Sequence, residues 1–412
     1  MRYLTLALFL LSSLGAKPLR VEVTAPSAIL MNAETGAILY AKNPHEKRYP
    51  ASLTKVATAL YVIHQKQGAL DEIAVASKNA LHSVPAIVRQ AADTIHPPYR
   101  LEHDGTIMGL RVGEEHTLLT FLYGLMLPSG NDAANVLAEH LSGSVEKFMQ
   151  ELNPFMKSLG LKETHFVNPH GLHHPDHWTT AFDMAILTKE ALKSDLFKKI
   201  VKSSGYPCPK SSKQPARVLV QNNRLLRQGP FFYPKAIGVK TGHHAKAARP
   251  IVAAATHEGR VLIAVLLGTT LTNRYSDAIR LFEAAFAEKQ MTRVLFSKES
   301  ERFNCRIKGK ELIAALKSDL VLQYFPAEES GFLAEIEWKK MRLPINKGEE
   351  VGSLRLMSHN NQLLQKLPLY AIESVSEVWW RKALSPLFVG VLLCGGMAYL
   401  LFQLVKKRQK VV

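Results

Sequence analysis

Cysteine is scarce. The 412 residues contain three, too few for a disulfide scaffold, and no two have metal-ligand spacing. Cys394 lies in an apolar run near the C-terminus. Cys208 stands between two prolines, far in sequence from Cys305, and the pattern leaves their pairing open. Internal repeats and low-complexity tracts are missing. So are a zinc-finger spacing, an aromatic ribonucleoprotein run and a dense basic helix, so a net charge of +17 does not mark a nucleic-acid-binding chain. The lysines and arginines are spread along the chain as a solvated basic surface, suited to acidic phospholipid or an acidic polymer. With 47% hydrophobic and 21% charged residues, the composition is globular rather than disordered. The length suits two domains plus appendages.

The termini suggest a location. Met1-Arg2 opens a short apolar run, 3–14, closing in the small residues Ser13-Leu14-Gly15-Ala16, the pattern of an export signal rather than a membrane span. At the other end, 383–405 carries no charge and is long enough to cross a bilayer with some tilt. Trp379 and Trp380 precede it as an interfacial belt, and Lys406, Lys407, Arg408 and Lys410 follow it. Those cations put the tail in the cytoplasm. The expectation is a single-pass protein of the cytoplasmic (inner) membrane whose main body faces outward.

Along the chain, 27–33 and 37–41 read as a hairpin turning at Glu34-Thr35-Gly36. A helix carrying Ser52 follows, with Leu53, Val56, Ala57, Leu60 and Ile63 at helical spacing. The segment 77–113 has no clear period and contains Pro85, Pro97 and Pro98; loops of this length in compact domains are usually rims or lids. Helical stretches cover 118–127, 133–141 and 145–159. Short strands then return at 236–241, 251–256 and 261–267, before a helix over 276–289. Strands, a helical middle and more strands indicate an α/β (α+β) fold, its sheet built from both ends of the domain around a helical insertion. Beyond Gln290, Phe332, Ala334, Ile336 and Trp338 alternate with Leu333, Glu335 and Glu337, a half-buried strand in a small β-rich domain.

Three stretches carry candidate chemistry. In Ser52-Leu53-Thr54-Lys55 a hydroxyl and an amine share one face of a helix's first turn. A serine is a poor nucleophile until a base takes its proton, and a lysine kept neutral by burial or a neighbouring cation supplies that base. Ser129-Gly130-Asn131 lies on the turn between two helices, where it aims a hydroxyl for proton relay and an amide for holding a substrate amide. Lys240-Thr241-Gly242 ends a predicted strand. Its lysine adds positive potential, which lowers the basicity of Lys55 and attracts an anion. Thr241 can hydrogen-bond a carboxylate, and Gly242 admits a close backbone. Five histidines, His165, His170, His173, His174 and His177, invite a zinc reading. They sit in a proline-containing loop without the fixed geometry and supporting acids a metal needs, so no metal and no cofactor is expected.

Taken together and in this order, the three motifs resemble the penicillin-binding-protein and serine β-lactamase superfamily. The chain is most similar to the low-molecular-weight D-alanyl-D-alanine carboxypeptidases of peptidase family S11, the penicillin-binding protein 5 and 6 type. His170-Gly171-Leu172, Asn223-Arg224-Leu225-Leu226, Gly238-Val239-Lys240-Thr241-Gly242 and Lys347-Gly348-Glu349-Glu350-Val351-Gly352 extend the likeness to about 28–374. The resemblance implies an α-β-α domain with an antiparallel sheet over 17–290, after a signal at 1–16. A β-rich domain at 291–378, an anchor at 383–405 and a tail at 406–412 would follow. It implies that Ser52 attacks the terminal D-Ala-D-Ala bond of a peptidoglycan stem peptide, with Lys55 as base. Ser129 and Lys240 would relay the proton, Asn131 would hold the substrate, and the N–H groups of Ser52 and His243 would form the oxyanion hole. Thr241 would bind the substrate carboxylate beside Gly242, with Arg224 as support, and a β-lactam would be trapped at the same serine. Two departures stand out. His243-His244-Ala245-Lys246-Ala247-Ala248-Arg249-Pro250 replaces a small polar residue and a glycine pair, and Pro250 cannot donate to a ladder, which places it at an edge or bend. The 77–113 segment is also long for this family. Three other readings remain open: an endopeptidase, a β-lactamase, for which the Ser-Asp-Asn and Glu-x-x-Leu-Asn motifs are missing, and a non-catalytic wall-binding scaffold.

Overall fold

The computed structural model describes residues 5–8, 17–90, 96–328, 332–358, 363–376, 391 and 396–400. The chain divides into two compact units, 15–291 with 324–329, and 1–14 with 292–323 and 330–412.

The first unit is built on a five-stranded sheet. Its strands are β1 (Ser27–Asn32), β2 (Ile38–Lys42), β3 (Ala236–Thr241), β4 (Ile251–His257) and β5 (Arg260–Leu267), in the spatial order β3-β4-β5-β1-β2. All neighbours are antiparallel. Because side chains alternate across a strand, the sheet feeds two cores. Ile29, Met31, Val252, Ala254, Ile263 and Val265 enter a large helical layer. Ala28, Leu30, Ile251, Ala253, Leu262 and Leu266 face the other way, against Tyr275, Leu281 and Phe282 of the last helix. Burial on both faces explains why β4 and β5 read as nearly unbroken apolar runs. Each such Leu, Ile or Phe stabilises by about 1.5–3 kcal/mol.

The helical layer holds α1 (Lys55–Gln65), α2 (Leu118–Met126), α3 (Asn131–Ser142), α4 (Val145–Ser158), α5 (Ala181–Ala191) and α6 (Asp195–Lys202); α7 (Asn273–Phe286) covers the opposite face. Side-chain caps start most of them. Thr117, Ser144, Thr180 and Ser194 accept hydrogen bonds from the backbone N–H groups of Thr120, Lys147, Asp183 and Phe197, each contributing about 1 kcal/mol. Periodicity located the helices over 118–159 but not α5 and α6. The last helix starts at Asn273, ahead of the expected 276.

The second unit carries β6 (Phe303–Ile307), β7 (Lys310–Leu316), β8 (Phe332–Trp338), β9 (Glu350–Ser358) and β10 (Leu363–Ala371). Ala334, Ile336 and Trp338 point into its core with Leu354, Leu356 and Leu369. Glu335 and Glu337 face outward to Arg355 and Lys366. Thr5–Leu8 pairs antiparallel with β8; the rest of the expected signal, 1–4 and 9–16, lies outside the described residues. So does most of 383–405, of which Gly396–Leu400 is helical and exposed. Among the described residues no helix is long and apolar enough to cross a membrane. Cys208 and Cys305 are both free thiols.

Candidate active site

Ser52 does not sit in the first turn of an α-helix. It lies in a 3-10 turn, Ala51–Thr54, immediately before α1. Ala51 has φ +48°, an unfavourable backbone for a residue with a Cβ. The surroundings enforce it. Thr54 Oγ1 donates to the Ala51 carbonyl at 3.0 Å and meets His177 Nε2 at 2.8 Å. Val167 N–H donates to His177 Nδ1, so Nε2 carries the ring proton and donates to Thr54. Gly171, with φ +91°, packs against the Ala51 carbonyl so closely that a Cβ would overlap it.

Lys55 is the first residue of α1 and is fully buried, 0% exposed. Its ammonium donates to Ser52 Oγ at 3.0 Å, Asn131 Oδ1 at 2.6 Å and the His170 carbonyl at 2.7 Å. None of these partners is a carboxylate. Burial, together with the nearby Lys240 cation, pushes its pKa well below the ordinary lysine value, against a smaller upward pull from Asp132. A lysine with a depressed pKa at hydrogen-bond distance from a serine hydroxyl has the arrangement of a nucleophile and its base.

Ser129 and Asn131 sit on the turn between α2 and α3, with Ser129 at φ +68°. Asp132 fixes this turn to the 77–113 segment by accepting the N–H groups of Met108, Gly109 and Leu110 at 2.7–3.1 Å. Burial pushes its carboxyl pKa up against those donors. Asn131 N–H bonds the Thr106 carbonyl, and Thr106 Oγ1 bonds the Ser129 carbonyl. Glu102, Asp104, Gly105 and Thr106 thus become part of the cleft's lining. The described part of the long segment forms a rim.

Lys240, 2% exposed, is the penultimate residue of β3, the edge strand. Burial and the Arg274 guanidinium lower its pKa to about 7. Among the described residues its ammonium donates only to the Thr241 carbonyl, at 3.0 Å. Gly242 is a close-approach position: a Cβ there would lie 2.9 Å from Pro250 Cγ and 3.1 Å from both Ala51 Cβ and the Pro50 carbonyl. This is how β3 comes against the nucleophile turn. Pro250 lies just before β4, an interior strand, where no ladder N–H is required of it; its carbonyl accepts the Gly242 N–H at 2.8 Å. The edge placement therefore belongs to the Lys240 strand, and Pro250 itself closes the loop.

These elements enclose a cleft of about 590 Å³ lined by Ser52, Ser129, Asn131, Thr241, Gly242 and His243, among others. The backbone N–H groups of Ser52 and His243 bond no other described residue. Arg224 lines the cleft with Arg227 and Arg249. The sequence reading missed Arg274. Buried at the start of α7, it donates to the Gly242 carbonyl at 3.0 Å and the Tyr275 hydroxyl at 2.8 Å, while its Nε has no acceptor among the described residues. Its only signal was an arginine at the head of a helix following three strands, which carries no prior for a site. The histidines are engaged separately. His165 bonds the Asp176 carbonyl, His170 bonds Leu172 N–H and the Tyr99 carbonyl, and His177 supports Thr54.

A buried lysine on a serine, a second buried lysine, and two N–H groups at one cleft define a serine hydrolase of the acyl-transfer type. Residues 14–270 match the peptidase S11 family, described as D-alanyl-D-alanine carboxypeptidase. The chain is 31% identical over 373 residues to the D-alanyl-D-alanine carboxypeptidase DacF of Bacillus subtilis, covering 88% of this chain and 89% of that one. It is 29% identical over 349 residues to DacA of Haemophilus influenzae, covering 81% of each. Among solved structures, penicillin binding protein 5 of H. influenzae matches with TM-score 0.59 at 25% identity, over 88% of this chain and 100% of that one. An S216A mutant of the Streptomyces K15 DD-transpeptidase matches with TM-score 0.56 at 30% identity, over 65% and 100%. The chain belongs to the S11 family of D-alanyl-D-alanine carboxypeptidases, serine hydrolases that form an acyl-enzyme and bind β-lactams.

Proposed function

We propose that Ser52 is the acylated residue, and that the enzyme releases the terminal D-alanine of peptidoglycan stem peptides ending in D-Ala-D-Ala. The observation that carries this is the 3.0 Å hydrogen bond from the buried Lys55 ammonium to Ser52 Oγ. Lys55, in its neutral form, takes the Ser52 proton as Oγ attacks the scissile carbonyl. The developing oxyanion is received by the N–H groups of Ser52 and His243; one such donor contributes about 3 kcal/mol to barrier lowering. Ser129 and Lys240 relay the proton to the departing amine, and Asn131 holds the acyl-side amide while its side-chain oxygen accepts from Lys55. The substrate's C-terminal carboxylate lies by Thr241 and Arg274, with Arg224 as weaker support from the same cleft wall. D-Alanine leaves, and water, deprotonated by Lys55, then hydrolyses the ester at Ser52. A β-lactam acylates the same oxygen but has no leaving group that departs, so the ester persists.

Labelling with a fluorescent penicillin tests the assignment: wild type labels and Ser52→Ala does not. Equal labelling of both removes Ser52 from the mechanism. Release of D-alanine from a pentapeptide, with no release by Ser52→Ala, separates the enzyme from a wall-binding scaffold.

The export pattern at 1–16 and the uncharged run at 383–405, followed by cations, support a protein held in the cytoplasmic membrane by one C-terminal span. In this arrangement the peptidase domain (17–290) and the β-rich domain (291–378) are outside, and 406–412 is inside. Truncation after residue 378 should release the protein from the membrane fraction; retention of the truncated form there would sink the anchor.

A further inference from the structure

A second cavity, of about 400 Å³, lies on the other face of the loop that follows Gly242. Lys47, Arg48, Tyr49, Trp178 and Lys246 line it, with no acidic residue in its lining. One loop walls both spaces: His243, His244 and Ala245 face the catalytic cleft, and Lys246, Ala247 and Ala248 face the second cavity. A ridge of rings runs alongside. Tyr49 stands edge-on to His173 with centroids 4.5 Å apart, and His173 stacks on His244 at 5.2 Å.

The cations of this cavity are only partly satisfied. The Lys47 ammonium sits 3.8 Å above the Trp178 ring, and neither it nor Lys246 forms an ion pair among the described residues. Arg48 reaches Glu46 through Nη2 at 2.6 Å, yet its Nε is buried without an acceptor among the described residues. Its place is fixed by backbone pairing with Thr179 and by Gly268, where a Cβ would lie 2.7 Å from Nη1. Such a basic hollow with a fixed arginine favours an oxyanion.

The catalytic cleft says which oxyanion. With the C-terminal carboxylate placed at Thr241 and Arg274 and the scissile carbonyl at Ser52 and His243, an acyl chain running past His244 and Ala245, which line the cleft, would follow this loop. The next residue of the loop, Lys246, lines the second cavity. We propose that this cavity is a subsite for a carboxylate of the same stem peptide, upstream of the D-Ala-D-Ala pair. The inference rests on Ser52 being the acylated residue. It also accounts for the loop's departure from the family pattern, because Lys246 stands where it can meet the peptide.

The test compares D-alanine release by the full chain from three peptides ending in D-Ala-D-Ala. One carries a free carboxylate upstream, one has it amidated, and one is an N-acetylated tripeptide too short to reach the cavity. Wild type should favour the free carboxylate in kcat/KM by up to about fivefold, the upper end expected of one partly exposed ion pair. Lys246→Ala should lose that preference, Lys246→Glu should invert it, and both should retain wild-type rates on the short peptide and wild-type penicillin acylation. Equal rates of the wild type on the free and amidated peptides overturn the proposal, as does a Lys246→Ala loss shared by all three substrates. Calorimetry on Ser52→Ala separates the sources of the anion: binding of glycerol phosphate without dependence on the peptide carboxylate assigns the cavity to wall phosphate and also overturns it. Absence of D-alanine release from every peptide, with no penicillin label on the wild type, would instead refute the proposed function and this subsite with it.

Discussion

Arg274 provides the sharpest test of how the cleft reads its substrate. It is buried, already bonded through Nη1 to the Gly242 carbonyl and through Nη2 to the Tyr275 hydroxyl, and adjacent to the strand end that carries Thr241. Replacing it with glutamine removes the cation and keeps much of the volume. A hydrogen bond to a charged group contributes about 1.5–3 kcal/mol, so kcat/KM on a peptide with a free C-terminal carboxylate should fall by about 10–150-fold. The informative measurement is a cycle with a second peptide whose C-terminus is amidated. Wild type should handle the amide poorly, and Arg274→Gln should lose little more on it, because the charge it would have met is missing. A second readout is pH. The Arg274 charge helps hold Lys240 down at about 7, so in Arg274→Gln the Lys240 titration should move upward. If the variant lowers both peptides by the same factor, Arg274 only braces the Gly242 loop and the reasoning fails.

Other outcomes follow from the same geometry. Gly171→Ala forces a Cβ into the Ala51 carbonyl at a positive φ, so penicillin acylation should drop by more than tenfold even in protein that remains folded by circular dichroism; unchanged acylation refutes the claim that this contact holds the nucleophile turn. Lys240→Met removes a cation that lowers the Lys55 pKa, so the acid limb of the acylation rate should move to higher pH, and a limb that stays or moves down contradicts the coupling. The same variant should unfold at a higher temperature than wild type at pH 6, with the gain shrinking toward pH 10. Glu114 is buried, which raises its carboxyl pKa, but Arg111 N–H, Gln214, His116 and Arg217 bring it down to about 2. Held below its unfolded value of 4.5, it contributes about 3 kcal/mol that is present above pH 4.5 and lost as pH falls toward 2. Glu114→Gln should therefore flatten the acid-denaturation curve between those limits, and an unchanged slope counts against the network.

Much of the site was legible because its chemistry is local in sequence. Ser52 and Lys55 are a turn apart, Ser129 and Asn131 share one bend, and Thr241 and Gly242 adjoin Lys240, so the turn or strand that positions one positions its neighbour. The strands of the sheet were legible for a different reason: β4 and β5 are buried on both faces and leave an apolar run that no other element of that length explains. What stayed hidden depends on contacts distant in sequence. Arg274 joins the cleft only because α7 begins opposite the Gly242 carbonyl. The 3-10 turn at Ser52 is set by Gly171 and His177, more than a hundred residues away, which override the helical period that runs through Leu53. α5 carries apolar residues around most of its circumference, burying Ala181, Met184, Ala185 and Leu187 between neighbours, so it lacks the one-sided stripe by which a helix is recognised.

The two lysines show how the site's reactivity is tied to a loss of stability. A buried ammonium without a carboxylate is unfavourable, and the depressed basicity of Lys240 measures how unfavourable. Its folded value near 7 lies about 3.5 units below its ordinary value of 10.5, which corresponds to about 5 kcal/mol of destabilisation below pH 7. That destabilisation vanishes only as pH rises through 10.5, where the unfolded chain also gives up the proton. A glutamate beside either lysine would recover the energy as an ion pair, but it would return Lys55 to the protonated form that cannot accept the serine proton. The cleft instead surrounds Lys55 with a hydroxyl, an amide oxygen and a carbonyl, each able to accept from the ammonium without fixing it in the charged state. The nearest acid, Asp132, has its oxygens committed to the backbone of 108–110. The gain of stability in Lys240→Met and its loss of activity are thus expected from one cause: relieving the buried charge also relieves the pressure that keeps Lys55 a base.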